Sequence, residues 1–362
     1  MKPASEAELA EMIRGANGPL RIVGGGTRGI GDVSGEMLET GGLAGILMYE
    51  PGALTLVAGA GTPLAEIETA LAAEGQRLAF EVPDLRGLLG RAGASTLGGV
   101  VAANASGPRR VQAGACRDSL LGVRFVDGSG MVVKNGGRVM KNVTGYDLVK
   151  LMAGSHGTLG VLTEVAFRVL PVPEVAATLA LRGLEDGRAV AAMAAALGGP
   201  FDVTGAAHWP GQGTFLRIEG FADSVAYRAD RLAAVLAPFG GAERVEDDPW
   251  PAIRDVAAFH GREGDVWRVS AKPSDAPGIV ARAGAGAALY DWGGGLVWLL
   301  VEPGTDLRAR IAPFAGHATR VRGTGGGIPA FQPETAPVAA LSRGLRAKFD
   351  PRGILNTGLM GD

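Results

Sequence analysis

The sequence predicts an α+β fold in two parts, because its two halves carry different patterns of secondary structure. At 362 residues the chain exceeds the roughly 250 residues at which single cores stop growing. The first half alternates strand-like runs with glycine-rich blocks, and the second half twice repeats the order βαββαβ. The proline-rich linker at 171–173 separates them. We therefore expect domains at 1–172 and 173–335, followed by a C-terminal helix and tail at 336–362.

Two helix starts are visible in the first half. Ser5 is followed three residues later by Glu8, which is a capping box, so a short helix should run from there to Gly15. Thr62 as cap, with Pro63 at the first helical position, predicts a second helix that runs to about residue 74. The other elements predicted in this half are strands at 20–23, 46–50, 54–58, 120–126, 131–133 and 161–170, and a helix at 146–152.

The second half predicts two ferredoxin-like units that together form one antiparallel sheet covered by helices. A final helix at 338–349 precedes a tail that we expect to return to the first domain. The first unit comprises strand 175–182, helix 184–198, strands 203–209 and 213–221, helix 223–239 and strand 242–246. After a helix near 251–259, the second unit comprises strand 265–271, helix 274–284, strands 287–291 and 295–301, helix 305–316 and strand 317–322.

Charge and cysteine content exclude several classes of protein. A formal net charge of −2 provides no basic field for nucleic acid. The lone Cys116 excludes an internal disulfide framework and a cysteine-ligated zinc or iron–sulfur site, and it indicates a cytoplasmic protein. The N-terminus has no signal-peptide pattern, and the most apolar run, near 297–301, is too short to span a membrane. Peripheral attachment to the inner membrane through a partner stays open.

Three glycine-rich blocks, at 24–28, 93–99 and 154–160, are the main functional signal in the sequence. Glycine lacks a Cβ, so its backbone N–H groups can adopt left-handed conformations and come close to an anion. Three such blocks in one domain predict a single phosphate-binding surface for a long ligand.

The first block admits two other interpretations. Gly24, Gly26 and Gly29 satisfy the Gly-x-Gly-x-x-Gly pattern of a Rossmann site. That site needs a helix after the turn, whereas residues 29–45 contain six glycines, each costing about 1 kcal/mol in a helix. A plain turn is the other alternative. The second block, leading into a short helix of small residues, suits either a pyrophosphate or tight helix–sheet packing.

The order of these motifs resembles the vanillyl-alcohol-oxidase type (PCMH) FAD-binding family over about residues 1–172. Within that family the chain is similar to the FAD-binding subunits of multi-subunit bacterial glycolate oxidases, a likeness that includes Gly107-Pro108-Arg109-Arg110 and the tail at 349–356. The motifs that carry the resemblance are, in order, Arg21 to Arg28, Gly59 to Leu64, Ser95 to Gly99, Arg117 to Val123, Gly145 to Leu151 and Gly157 to Glu164.

The resemblance implies a bilobed FAD-binding domain, with FAD between the lobes, followed by a cap domain. Asp118 and Thr158 can also be simple helix caps, and that alternative stays open. By this resemblance the backbone of Gly24, Gly25, Gly26, Thr27 and Arg28 binds the pyrophosphate, Ser95, Thr96, Gly98 and Gly99 lie against pyrophosphate and flavin, Asp118, Gly157, Thr158, Gly160 and Val161 line the adenosine and ribityl side, and Asn356 approaches the flavin.

The chain departs from the family at two places. Many relatives attach the flavin to a histidine just past the first block, where this sequence has Thr27 and Arg28, so we expect noncovalent FAD. Cys116, beside Arg117, is an alternative attachment point for the flavin. The other interpretation of Cys116 is an ordinary partly buried cysteine. The histidine- and acid-bearing cap motifs of related hydroxy-acid dehydrogenases are absent, so no catalytic base is identified. Candidate cations for a substrate carboxylate are Arg262, Arg268, Arg320 and Arg322.

The resemblance implies an FAD-binding subunit of a complex that oxidises glycolate, or a similar 2-hydroxy acid, to glyoxylate. Its partners would be a homologous FAD-linked catalytic subunit and an iron–sulfur subunit that receives the electrons, since one cysteine cannot hold such a cluster. Two alternatives remain: a self-sufficient FAD oxidoreductase for a hydroxy acid or alditol, and a non-catalytic structural subunit.

Overall fold

The computed structural model describes residues 1–138, 145–323 and 327–361, so the predicted ranges 1–172, 173–335 and 336–362 each include a few residues outside the description. The first part of the chain forms two sheets. Its elements are α1 (Glu6–Gly15), β1 (Leu20–Val23), β2 (Glu36–Glu39), β3 (Ile46–Glu50), β4 (Thr55–Gly59), α2 (Leu64–Ala73), β5 (Gln76–Leu78), α3 (Arg86–Leu89), α4 (Leu97–Ala102), α5 (Arg110–Ala113), α6 (Cys116–Ser119), β6 (Leu120–Val126), β7 (Val132–Gly136), α7 (Leu148–Met152) and β8 (Val161–Pro171).

Strands β1 and β2 pair in parallel as a two-stranded sheet, while the larger sheet has the order β3-β4-β8-β6-β7 with β5 also paired to β8. No helix follows the first glycine block before β2 begins, as expected for a site that is not a Rossmann fold. The capping box at α1 is confirmed, because the Ser5 hydroxyl accepts a hydrogen bond from the Glu8 N–H at 3.2 Å.

The prediction that Thr62 caps α2 is wrong. The helix starts at Leu64 and its N-cap is Pro63, which makes no side-chain cap bond. The Thr62 hydroxyl instead donates to the Gly59 carbonyl at 2.7 Å and fixes the turn that precedes the helix. The physical reason is the following proline, which disfavours the helical region for residue 62 and moves the helix start along the chain.

The second part of the chain forms one eight-stranded antiparallel sheet. Its elements are β9 (Val175–Leu181), α8 (Asp186–Leu197), β10 (Val203–Trp209), β11 (Gly213–Gly220), α9 (Ala222–Leu236), β12 (Glu243–Val245), α10 (Trp250–Arg254), β13 (Asp265–Ala271), α11 (Ala276–Ala283), β14 (Ala287–Asp291), β15 (Leu296–Val301), α12 (Leu307–Ile311) and β16 (Gly316–Arg322), and α13 (Ala336–Phe349) follows.

The strand order β12-β9-β11-β10-β14-β15-β13-β16 confirms the predicted duplication. In each unit the first and third strands are central, the fourth lies outside the first, and the second strand faces the other unit. The two units meet where β10 pairs with β14, at His208 and Tyr290. One face of the sheet packs against α8, α9 and α11. Its other face packs against α10 and against Leu88 of α3, which belongs to the first part of the chain.

A buried ion cluster joins the two parts. Arg109 holds the Glu219 carboxylate with two hydrogen bonds of 3.0 and 2.8 Å, and Arg77 adds a third at 2.8 Å. Arg217 binds the Glu81 carboxylate in the same bidentate way, with hydrogen bonds of 2.8 and 3.0 Å. The side chains of Arg109, Arg217 and Glu219 are less than 10% exposed. Carboxylates from both parts are therefore neutralised across the contact.

The motif at 107–110 forms a second contact between the two parts. Arg110 and Arg268 both lie over the Trp292 ring, with guanidinium carbons 4.4 and 5.0 Å from the ring centroid. Its indole N–H donates to the Gly107 carbonyl at 3.1 Å. Burial, with the charge of Arg110, lowers the pKa of Arg268 to about 10.

The tail after α13 returns to the first part of the chain and lies beside β1. The Leu20 N–H donates to the Ile354 carbonyl at 2.7 Å, and the Asn356 N–H donates to the Leu20 carbonyl at 3.0 Å. A tail residue is thereby fixed at the edge of the first glycine block. None of the described helices is long and apolar enough to cross a membrane.

Candidate cofactor-binding site

The three glycine-rich blocks and the tail enclose one cavity of about 360 Å³. All of the predicted site residues line it except Ser95, Asp118 and Thr158. Sequence reasoning missed Thr40, Arg91 and Leu359, which lie in segments without a recognisable motif. Predicted residues in the cavity wall are Gly24, Gly25, Gly26, Thr27, Arg28, Thr96, Gly98, Gly99, Gly157, Gly160, Val161 and Asn356.

The first two blocks touch backbone to backbone. A Cβ on Gly25 would lie 1.5 Å from the Ala94 carbonyl oxygen, and one on Gly24 would lie 2.3 Å from the Thr96 hydroxyl. Gly26 has a φ of +70°, in the left-handed region that glycine adopts without strain. Glycine at these positions is therefore required by the close approach of the two loops.

The turn at 25–28 lines the cavity and contains a run of backbone donors. Among the hydrogen bonds of the described residues, none has the N–H of Gly25, Gly26, Thr27 or Arg28 as its donor. Backbone N–H groups inside proteins are nearly always paired, and consecutive N–H groups in a turn form a concavity that binds anions. None of these four N–H groups is bonded to another described residue, so they are available to an anion in the cavity.

The Arg28 side chain joins the first block to the second. Its guanidinium donates to the Pro83 carbonyl at 3.1 Å and to the Ser95 hydroxyl at 2.6 Å, while its Nε–H has no partner in the described chain. Burial lowers the pKa of this guanidinium, and the residue is only 8% exposed. Ser95 is consequently held behind the cavity wall by Arg28.

Helix α4 begins at the cavity. The Thr96 hydroxyl accepts a hydrogen bond from the Gly99 N–H at 3.4 Å, which makes Thr96 the N-cap. A Cβ on Gly98 would lie 2.7 Å from the Ala60 Cβ. Close packing thus explains Gly98 in part, and the same residue also lines the cavity.

Asn356 joins the tail to two walls of the cavity. Its amide oxygen accepts a hydrogen bond from the Ile22 N–H at 2.8 Å, and its amide nitrogen donates to the His156 carbonyl at 2.7 Å. The residue is 6% exposed and has a φ of +44°, which asparagine tolerates better than most residues. Its whole amide is engaged in holding β1 against the third block.

Replacing Asn356 with alanine is expected to weaken FAD binding and lower the melting temperature. The change leaves the Ile22 N–H and the His156 carbonyl without partners, at about 1–3 kcal/mol for each buried group. The measurement is thermal unfolding of the purified chain together with a titration of FAD. Thr357→Ala is the neighbouring control, because that hydroxyl bonds only to the Gly353 carbonyl in an exposed turn. Equal melting temperatures for the two variants would contradict this role of Asn356.

His156 contributes an uncharged ring to the cavity wall. It has a φ of +50°, and its imidazole meets the Phe331 ring edge-on with centroids 4.9 Å apart. Burial lowers the pKa of His156 to about 4, so the ring is neutral near pH 7. His156 belongs to the third glycine-rich block, but the sequence analysis assigned no role to its side chain.

His156 is expected to make the chain sensitive to acid. The pKa of His156 in the folded chain is below the ordinary value of about 6.5, so the unfolded chain binds a proton first. Its contribution to stability is present above pH 6.5 and is lost as the pH falls towards 4. The melting temperature of the wild type should therefore drop more between pH 7 and pH 5 than that of His156→Gln. Parallel pH profiles would contradict the assignment.

Asp118, Thr158 and Cys116 lie outside the cavity wall. Asp118 accepts a hydrogen bond from the Ala115 N–H at 2.8 Å at the start of α6, and its side chain is 45% exposed. The Thr158 hydroxyl donates to the Ser155 carbonyl at 2.7 Å. Cys116 is fully buried, and burial raises the pKa of its thiol, so it is an unreactive core residue. The expectation that this cysteine is only partly buried is wrong.

A second cavity, of about 440 Å³, adjoins the first and has Gly29, Gly31, Asp32, Arg91 and Leu359 in common with it. Two of the predicted candidate cations, Arg320 and Arg322, line this second cavity. Arg268 instead stacks on Trp292, and Arg262 donates to the backbone carbonyls of residues 258 and 286. The described residues contain no group of three or more His, Cys, Asp or Glu side chains able to hold a metal ion.

Comparison with known proteins assigns the family. A model of the FAD binding domain matches residues 1–136. The chain is 37% identical over 330 residues to the glycolate oxidase subunit GlcE of Escherichia coli (strain K12), across 91% of this chain and 88% of that protein. The chain belongs to the GlcE family of PCMH-type FAD-binding proteins. The cofactor of this GlcE-family chain is FAD.

Two further similarities extend the comparison. A segment of 85 residues is 41% identical to the glycolate oxidase subunit GlcD of Bacillus subtilis (strain 168), and it covers 24% of this chain and 18% of that protein. The solved structure of an alkyldihydroxyacetonephosphate synthase matches 99% of the GlcE-family chain, and 77% of the synthase chain, with a TM-score of 0.71 at 17% identity. This second similarity concerns the fold alone, and it confirms the fold class predicted from the sequence.

The residues of this GlcE-family chain fit FAD. A pyrophosphate needs several hydrogen-bond donors, and the turn at 25–28 supplies backbone N–H groups that no described residue accepts from. The left-handed Gly26 and Gly157 keep the backbone bare of side chains where the ligand would pass. The buried Nε–H of Arg28, which also lacks a partner among the described residues, lies next to the same turn.

Proposed function

We propose that the chain is the FAD-binding subunit of a complex that oxidises glycolate, or a similar 2-hydroxy acid, to glyoxylate. The observation that carries the proposal is the run of N–H groups at 25–28 that have no acceptor among the described residues, in a chain 37% identical to a glycolate oxidase subunit over 91% of its length. In this assignment the chain holds FAD noncovalently in the 360 Å³ cavity. Thr27 and Arg28 occupy the place of the attaching histidine, and the thiol of Cys116 is buried.

In this assignment each wall of the cavity would bind a different part of FAD. The turn at 25–28 would hold the pyrophosphate, with Thr96 and Gly99 beside it. Gly157, Gly160 and Val161 would line the adenosine and ribityl side, and Asn356 would fix the tail across the flavin end. FAD supplies a two-electron acceptor when it is bound. The chain's own residues bind the cofactor and exclude water, and no side chain is assigned as the base.

The partners in this proposal are a homologous FAD-linked subunit and an iron–sulfur subunit. The segment similar to the subunit GlcD supports the first, because it relates this chain to a second subunit of a glycolate oxidase. The single cysteine supports the second, because a cluster held by cysteines needs another chain. We place the complex in the cytoplasm, attached to the inner membrane through these partners.

A self-sufficient FAD oxidoreductase is the second candidate, and the adjoining 440 Å³ cavity favours it. Arg91 and Arg320 line that cavity, and arginine pairs well with the carboxylate of a hydroxy acid. Arg322 also lines it, but its guanidinium donates to four backbone carbonyls. The two candidates differ in where substrate reduces flavin: only within the complex, or also in the isolated chain.

The deciding experiment is gentle purification of the tagged chain from its host, followed by identification of the co-purifying subunits and of the flavin released by acid. Glycolate and D-lactate are then added without oxygen, and flavin absorbance is followed in the complex and in the isolated chain. We expect partner subunits, noncovalent FAD, and bleaching in the complex only. Bleaching of a chain without partners would establish the self-sufficient enzyme, and a colourless chain that takes up no FAD would establish a structural subunit.

A further inference from the structure

Two arginine side chains at the contact between the two parts of the chain have no acidic partner. Arg110, the first residue of α5, and Arg268, on β13, both lie over the Trp292 ring. Within the part of the chain that the structure describes, neither guanidinium group has a hydrogen-bond or ion-pair partner. Both residues are only half-buried, and none of their guanidinium nitrogens is sealed from solvent. The two groups are therefore open to a ligand.

The electrostatics of this pair favour an anion. An arginine guanidinium is protonated at neutral pH, and this holds for Arg268 although burial, with the charge of Arg110, lowers its pKa to about 10. Charges removed from water in folded proteins are ordinarily paired, because desolvation without a partner is costly. A bound anion would offset both the desolvation of the two cations and the repulsion between them.

The carboxylates whose charge reaches this pair are engaged elsewhere. The Asp291 carboxylate accepts a hydrogen bond from the Trp292 N–H at 2.7 Å, and burial raises the pKa of Asp291 to about 7, so this group is only partly ionised at neutral pH. The Asp118 carboxylate accepts a backbone hydrogen bond at the start of α6. An anion at the two arginines therefore has to come from outside the described chain.

Trp292 is held in a strained conformation beside the two arginines. Its φ is +54°, in the left-handed region that a bulky residue rarely adopts. The Asp291 carboxylate accepts from its backbone N–H, and the Gly107 carbonyl accepts from its indole N–H at 3.1 Å. Because Gly107 and Trp292 belong to different parts of the chain, this arrangement exists only when the two parts are in contact. Backbone strain of this kind clusters at ligand-binding sites.

The two arginines are close to the cofactor cavity but separate from it. Ala103 lines the cavity, and Gly107 follows four residues later, so the two Cα atoms are within about 14 Å of each other. Neither Arg110 nor Arg268 lines the cavity, whereas the turn at 25–28 does. An anion bound by the arginines is therefore a different group from the pyrophosphate assigned to that turn.

We propose that Arg110 and Arg268 bind the carboxylate of a small 2-hydroxy acid, or of the 2-oxo acid formed from it, and that Trp292 holds the two guanidinium groups in place. This inference rests on the proposed function, because it takes the class of ligand from that reaction. A planar guanidinium group matches the geometry of a carboxylate and binds it through charge-assisted hydrogen bonds. Of the four candidate cations expected from the sequence, the proposal selects Arg268.

The test is a calorimetric titration of the purified, FAD-containing full chain with glycolate and with glyoxylate. Glycolamide is the matched ligand control, because an uncharged amide replaces its carboxylate. We expect the two acids, but not glycolamide, to bind to the wild type and to raise its melting temperature. Arg110→Met and Arg268→Met should each weaken carboxylate binding by about tenfold or more, with unchanged FAD content. Tighter binding of glycolate assigns the site to the substrate, and tighter binding of glyoxylate assigns it to the product.

Arg182→Met is the matched protein control. The Arg182 guanidinium also lies over an aromatic ring, 5.6 Å from the Phe215 centroid, but it is paired with Glu243. We expect this variant to bind glycolate as the wild type does. The melting temperature without ligand is a second readout, because Arg268→Met removes a cation that has no ion pair to lose. A melting temperature equal to or above that of the wild type is expected, whereas a purely structural role would lower it.

Several outcomes would overturn the inference. Wild-type affinity for glycolate in either arginine variant removes that residue from the site. Chloride and phosphate that bind as tightly as glycolate would mean an adventitious ion only. If the wild-type chain binds neither acid while the purified complex still bleaches with glycolate, this inference fails and the proposed function stands. A chain that takes up no FAD and joins no other subunit overturns the proposed function, and loss of its glycolate binding in the arginine variants would still support the carboxylate site.

Discussion

Replacing Gly25 with alanine is expected to abolish FAD binding by the chain. The added Cβ would lie 1.5 Å from the Ala94 carbonyl oxygen, and because that atom belongs to the backbone, no side-chain rotation relieves the clash. The turn must move away from the second block, which displaces the N–H groups of residues 25–28 from a common ligand atom. Loss of two hydrogen bonds to a charged group weakens affinity by about a hundredfold or more. FAD released by acid from the purified variant is the measurement.

Gly41→Ala is the matched control for this substitution. Gly41 lies beside the cavity residue Thr40, but a Cβ there meets no atom within 4 Å, and its φ lies outside the left-handed region. We expect wild-type FAD content and melting temperature for the control. If Gly25→Ala retained one FAD per chain, the turn would not be the pyrophosphate site.

Replacing Glu219 with glutamine is expected to destabilise the chain by about 3–5 kcal/mol, the usual cost of breaking a buried ion pair from one side. Glu219 is bonded to Arg109 and Arg77 of the first part of the chain, and its side chain is 6% exposed. The neutral amide would leave the buried Arg109 guanidinium with the Glu81 carboxylate alone, whose oxygen is 3.7 Å away. The measurement is the free energy of unfolding in urea, followed by fluorescence and by FAD release.

Glu243→Gln provides the control on an exposed ion pair. Glu243 pairs with Arg182 at 3.1 Å, but both side chains are at least half exposed, so its loss should cost no more than about 1 kcal/mol. Similar destabilisation by the two variants would mean that the buried cluster contributes no more than a surface pair.

The pH dependence gives a second readout for Glu219. Burial by itself raises the pKa of this carboxyl, but the hydrogen bonds and charge of Arg109, with the charge of Arg217, outweigh burial and lower the pKa to about 2. The folded pKa is thus below the unfolded value of about 4.3, so the contribution to stability is full above that pH. It is lost as the pH falls from about 4.3 towards 2. The difference between wild type and Glu219→Gln should shrink over that range.

Sequence patterns predicted the second part of the chain well, because strands and helices alternate there with clear periodicity. Strand β2 was missed, since Glu36–Glu39 is short and follows a glycine-rich loop. Its pairing with β1 depends on contacts that local periodicity does not record. Thr62 was misassigned because threonine is common both at helix N-caps and in turns. Its hydroxyl donates to the Gly59 carbonyl in the turn instead of capping the helix.

The parts of the candidate site that contain glycine-rich motifs were predicted from the sequence. Contacts between residues far apart in the sequence were not predicted. The block at 24–28 and residues Gly157, Gly160 and Val161 were recognised from motif order, and they line the cavity. Ser95 was predicted to face the ligand, yet Arg28 holds its hydroxyl on the other side of the wall. The ion cluster left no sequence signal, because Glu81 and Arg217 are 136 residues apart.

The return of the tail to β1 has a consequence for biosynthesis. The bridge from Asn356 to Ile22 and His156 closes the cavity with a residue translated after both sheets. A nascent chain on the ribosome therefore has its glycine turns long before it has a closed cavity. Stable flavin uptake should wait until the tail has left the ribosome and the last wall is in place.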